Sequence, residues 1–172
     1  MDRTNRQDHG SFPAKTGLGA TVLALGLLAA SPSQSADAKN FHFLKPEGLL
    51  NSPGYSQAVM VDKGKLVILA GQMPVDDKGA LVGKGDFKAQ ATRAFENIVL
   101  SLKAMGLDTS DIVKLNYFIV GDLQQNLPAL RDALKPFFKP GTPRPAGTVA
   151  GVTALALEGQ MLEIDVTAVT RE

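Results

Sequence analysis

The sequence predicts one α+β domain in which a β-sheet carries two helices on a single face, in the order ββαβαββ. Three observations lead there. Short apolar, β-branched runs recur between glycine-rich turns. Two segments show apolar residues at three- and four-residue spacing. The final run, around Leu162, Ile164, Val166 and Ala168, alternates strictly with polar residues. A chain of 172 residues is long enough for one such core and too short for two.

The elements follow in order. Residues 57–61 (QAVMV) and 66–70 (LVILA) flank Asp62-Lys63-Gly64-Lys65 and read as a β-hairpin with a glycine turn. A polar connection through residues 76–79 and Gly83-Lys84-Gly85 leads to the first helix. There Phe87, Ala91, Ala94, Phe95, Ile98, Leu102 and Met105 share a face, with Asp86 as N-cap and Gly106 as stop. Residues 112–120 (IVKLNYFIV) have strand composition. The second helix is expected over 127–138, on Leu127, Leu130, Leu134, Phe137 and Phe138, capped by Asn126 and ended by Pro140-Gly141. Strands at 148–155 and 161–170 close the domain. In the last of them Glu163, Asp165 and Thr167 point away from the core. Helices on one side leave the other side of the sheet to water or to a partner.

Composition narrows the function classes. Hydrophobic residues at 44% and charged residues at 20% fit a soluble globular domain. A net charge of +1 gives no surplus to draw the protein onto nucleic acid or an anionic membrane. The absence of cysteine excludes thiolate nucleophiles, disulfides and cysteine metal sites. Arg3, Arg6 and Lys15 precede the apolar run at 20–30, and Ala36 and Ala38 stand at −3 and −1 of a small-residue end. This is the pattern of a secretory signal over 1–38, cleaved after Ala38, with export to the periplasm and no lasting membrane attachment expected. The apolar run is shorter than the roughly 20 residues of a membrane span. Residues 39–53 then form an N-terminal extension and 54–172 the domain.

Removing the signal leaves His42 as the sole histidine. With no cysteine beside it, neither a zinc site nor another metal site is expected, and no cofactor. A Ser-His-Asp triad would have to use His42, which reads as a surface residue. The glycines at 79, 83 and 85 miss both the spacing and the hydroxyl of a phosphate-binding loop and read as turns. Lys135, Lys139 and Arg144 lie near Phe137 and Phe138, but the phenylalanines fall on the apolar stripe of the helix, so core packing accounts for them better than a nucleic-acid face.

Five blocks remain: Gly54 to Val59 (GYSQAV), Ala70 to Pro74 (AGQMP), Gln90 to Asn97, Pro145-Ala146, and Leu162 to Val166 (LEIDV). In order and spacing the chain resembles the RidA/YjgF family, whose members are also labelled L-PSP endoribonucleases. The resemblance implies a chorismate-mutase-like fold, a homotrimer with a small-molecule ligand in clefts between subunits, and hydrolysis of reactive imines. By similarity Glu163 holds the attacking water, Tyr55 lines the cleft, and the backbone around Gly71 contacts ligand. Ribonuclease activity is disfavoured by the near-neutral charge and the lack of a histidine pair.

The match breaks after Pro145-Ala146. Deaminating relatives continue with an arginine that grips the substrate carboxylate; here Gly147-Thr148 follow. An unreplaced contact of that kind costs on the order of 1.5–3 kcal/mol. Ala70 stands where many relatives have serine, and Arg131 is a candidate for a cation from another direction. The expectation is an exported deaminase or hydrolase of an imine or enamine with a non-standard substrate. The alternative is a noncatalytic trimer that binds a small metabolite or protects other proteins.

Overall fold

The structure, a computed structural model, describes residues 39–171; the expected signal segment lies outside them. Among the described residues six strands and two α-helices are arranged as α+β. They are β1 (Phe41–Leu44), β2 (Ala58–Val61), β3 (Leu66–Gln72), α1 (Phe87–Ala104), β4 (Ile112–Val120), α2 (Leu123–Leu134), β5 (Ala146–Val152) and β6 (Leu162–Val169). A four-stranded sheet has the order β3-β6-β4-β5, and β1-β2 form a separate antiparallel ribbon. β4 and β5 run parallel; the other pairs are antiparallel.

Both helices cover one face of the sheet. Phe87, Ala91, Ala94, Phe95, Ile98 and Leu102 of α1 meet Leu162, Ile164, Val166 and Ala168 of β6 in one buried cluster. Asp86 caps α1 by accepting from Ala89 N. At the other end Gly106, at φ +71°, lets Leu107 N reach Leu102 O at 3.0 Å. Only a residue without a Cβ turns there at low cost.

The hairpin, the second helix and the strand after it depart from the sequence expectation. β5 spans Ala146–Val152 rather than 148–155, and Met105, expected on the buried face of α1, caps the helix and is exposed. β2 and β3 do not form the expected hairpin: β2 pairs with β1 and β3 with β6. Asn40 O accepts from Asp62 N, while Lys65 and Thr170 exchange Lys65 N to Thr170 Oγ1 at 2.9 Å and Thr170 N to Lys65 O at 3.0 Å. The turn is therefore tied to distant chain on both sides, and long-range pairing overrides the local signal. Phe41, Val113 and Val169 form a second buried cluster beneath the ribbon, so residues read as an extension supply both a strand and core. α2 begins four residues before its expected start. Asp122, not Asn126, is the cap, accepting from Gln124 N and Gln125 N. Asn126 is buried and turns its amide toward Val120 O at 3.4 Å. The helix ends in a 3-10 turn, Lys135–Phe137, because Pro136 lacks the N–H the next α-turn needs.

Arg171 fastens the exit of β6. Its Nε donates to Asp111 Oδ1 at 2.9 Å, and Nη2 donates to Asp111 Oδ2 and Asp108 Oδ2, both at 2.7 Å. Burial raises the Asp108 pKa, but hydrogen bonds from Ser110 and Arg171 and the charge of Arg171 outweigh it and hold the carboxyl below its ordinary 3.8. Such a group stabilises the fold above its unfolded pKa and loses that contribution as pH falls through the folded one. Arg171→Ala is expected to cost about 1–2 kcal/mol near neutral pH, discounted for the exposure of Arg171. Urea midpoints of variant and wild type should converge as pH is taken well below 3.8.

Candidate active site

Strand register divides the candidate residues between two places. On the helix-free face Glu163 of β6 stands opposite Phe118 of β4, and Asp165 opposite Asn116. β3 bulges against β6 between Leu69 and Gln72, and the two residues inside the bulge are Ala70 and Gly71. The Glu163 carboxylate lies directly over Gly71. A Cβ there would overlap Oε1 and come within 2.9 Å of Cδ. Gly71 is thus required by a close approach rather than by an unusual φ. Gly71→Ala is expected to push the carboxylate off this position, and any reaction that relies on its placement should slow by about 10²-fold, the order of effect of a misplacement near 1 Å. Kinetics alongside a melting curve separate that loss from unfolding.

The other oxygen is held from below. Gln160, buried in the loop before β6, donates from Nε2 to Glu163 Oε2 and to Leu162 O, both at 3.1 Å, while its Oε1 accepts from Leu157 N. Gln90, fully buried in α1, fixes this loop in turn: Nε2 donates to Gly159 O at 2.9 Å and Oε1 accepts from Met161 N at 2.8 Å. Gln160 carries no sequence signal for this role, and Gln90 is marked only as the first residue of a family block. Their side chains matter through bonds to residues about 70 positions away or around a turn.

The second place is the start of β5. Ser56 N donates to Pro145 O at 3.0 Å, and Ser56 Oγ to Arg144 O at 2.6 Å. These bonds lay Tyr55 alongside Gly147, where an added Cβ would stand 3.3 Å from Tyr55 Cβ. Tyr55 is 38% exposed. Thr148, also exposed, accepts from Lys114 Nζ at 2.9 Å on the opposite face. Arg131 lies exposed on α2, in the helix layer, and is not brought to Glu163.

A groove of about 580 Å³ opens beside Tyr55, between residues 45–57 and 139–144. Arg144 lines it, and its guanidinium sits 4.2 Å from the centre of the Phe138 ring. Burial draws this guanidinium below its usual pKa, with the nearby Tyr117 hydroxyl pulling the other way. Among the described residues no cluster of histidine and carboxylates is arranged to hold a metal ion.

Gly147 pairs with Leu115 and therefore faces the helix side, whereas Glu163 faces away. The two positions lie two strands and three residues apart in register, roughly 14 Å from strand spacing and rise. One chain alone does not bring Tyr55 and Gly147 to Glu163.

Comparisons with known proteins identify the family. The sequence profile of a family described as Endoribonuclease L-PSP matches residues 49–170. Protein DfrA of Myxococcus xanthus is 39% identical over 118 residues, spanning 67% of this chain and 85% of that protein. A 2-iminobutanoate/2-iminopropanoate deaminase of Dermatophagoides farinae is 33% identical over 119 residues, 65% of this chain and 88% of that one. Among solved structures, the Rid-family protein YyfB of Yersinia pestis, itself of unknown function, aligns with a TM-score of 0.71 at 32% identity. That alignment covers 76% of this chain and 99% of the other.

Proposed function

The chain belongs to the Rid family, described by its profile as Endoribonuclease L-PSP, and from that membership we propose that it hydrolyses imines of small metabolites with Glu163 holding the attacking water. The observation that carries the reading is the Glu163 carboxylate seated over Gly71, with one oxygen held by Gln160. A carboxylate fixed this way can accept a proton from water as the water oxygen adds to the imine carbon. The nitrogen is protonated, ammonia leaves, and a carbonyl compound remains. The similarity to a protein named an imine deaminase supports the choice of substrate class.

A shared site completes the proposal. Tyr55 and Gly147 of one chain would face Glu163 of the next across a cleft that holds the ligand, in a homotrimer. The opposite facing of the two half-sites within one chain supports this, as does apolar surface on the sheet face that carries Glu163. Ile68 and Leu66 of the edge strand β3 are 76% and 63% exposed on the helix-free face. With residues 1–38 read as an export signal, the chemistry would run in the periplasm.

The test is the decay of 2-iminobutyrate generated in situ, with and without protein. Decay faster than buffer is expected; a rate equal to buffer overturns the deaminase reading. Light scattering should give a trimer mass, and a monomer mass would remove the shared site.

A further inference from the structure

We propose that Arg144 supplies the cation absent from position 147, so that the groove beside Tyr55 takes the carboxylate end of a small anionic ligand. The inference rests on the ligand-binding reading given to Tyr55 above and adds the residue that selects for charge.

Four observations point the same way. First, among the described residues no carboxylate pairs with the Arg144 side chain, which lies against the Phe138 ring and near the Tyr117 hydroxyl. The arginines at 93 and 171, in contrast, are engaged by acidic partners. Second, stacking uses the face of the guanidinium and leaves its in-plane N–H donors available, which is the geometry a planar carboxylate accepts in pairs. Phe138 is buried in the core, so the platform beneath the cation is fixed. Third, the local charge is positive. Lys45, Lys139 and Arg144 line the groove against a single carboxylate, Glu47, in a chain whose total is only +1. Fourth, Arg144 is bound to the Tyr55 segment through its own backbone, by Ser56 Oγ. Cation and pocket wall therefore keep a fixed relation.

Partial burial strengthens the case. A guanidinium that has lost part of its water recovers some of the lost solvation when an anion arrives. The cation has moved three residues upstream of position 147, roughly 10 Å along extended chain, and the arginine stem bridges part of that distance.

The experiment follows binding without turnover. 2-Oxobutyrate, a stable carboxylate, is titrated into the protein and into Arg144→Gln and Arg144→Lys, with amide NMR shifts as the readout and 2-butanone as the uncharged control. The expected result is saturable binding of 2-oxobutyrate by wild type and none of 2-butanone. Affinity should fall about ten- to a hundredfold in Arg144→Gln and be partly recovered in Arg144→Lys. Equal affinity in wild type and Arg144→Gln overturns the assignment, and so does the absence of 2-oxobutyrate binding by wild type. Unshifted core amides in Arg144→Gln show that the fold survives the change. The imine assay separates the two readings. Arg144-dependent binding without imine decay removes the deaminase and leaves this site, whereas imine decay indifferent to Arg144→Gln removes this site and leaves the deaminase.

Discussion

Glu163→Ala is expected to lower the rate of 2-iminobutyrate hydrolysis by about 10²–10⁴-fold, the contribution of a positioned general base. The change should cost little stability. Glu163 is half-buried on the helix-free face, and its one side-chain hydrogen bond comes from Gln160. A shift within about 1 kcal/mol is expected. Glu163→Gln sharpens the result, since the amide oxygen can still accept from Gln160 while the base is gone. Its rate should fall with that of the alanine variant. The measurement is steady-state decay of the imine with melting curves on the same samples. A Glu163→Ala protein that keeps the wild-type rate would sink the role given to this residue.

Phe95→Ala is expected to have the largest effect on stability, about 3–5 kcal/mol. Phe95 is fully buried in α1, and its ring lies 4.8 Å from Phe137 and 5.4 Å from Phe138 between ring centres. Removing it opens a cavity where helix, 3-10 turn and sheet meet. Urea titration reads the loss directly, and a drop under about 1 kcal/mol would mean that the aromatic cluster does not anchor the core. A second consequence reaches the groove. Phe138 carries the Arg144 guanidinium, so a loosened Phe138 should weaken 2-oxobutyrate binding even in the fraction that remains folded.

The parts of this protein legible in the sequence are those whose signal is periodic. α1 shows its buried face through six apolar positions, with Met105 the one expected member that is exposed, and its ends through Asp86 and Gly106. β6 shows its two faces by alternation, which set Glu163 and Asp165 on the side away from the helices. The parts that were not legible depend on partners far away in the chain. Asp62 to Lys65 has the composition of a hairpin turn, yet β3 leaves β2 and pairs with β6 along its length, with Lys65 and Thr170 bonded to each other at the entry. Asp122 and Asn126 are both good caps, and a buried bond to Val120 O draws Asn126 inside the helix. At the candidate site the family pattern marks Glu163, Gly71, Tyr55 and the gap at Gly147. Gln160 and Arg144 carry no such mark. One acts through a bond around a turn, and the other through a ring six residues before it.

The position of β6 also governs how the molecule comes to exist. It lies between β3 and β4, and its first partner strand is made about a hundred residues earlier, with Leu66 opposite Val169. Until β6 has been synthesised, β3 has no neighbour in the sheet and α1 lacks the surface its apolar face covers. A chain built this way closes its largest loop last, and large-loop closure slows folding. The β1-β2 ribbon and the β4-β5 pair need nothing from β6, but the four-stranded sheet joins β3 to β4 only when the last strand is available.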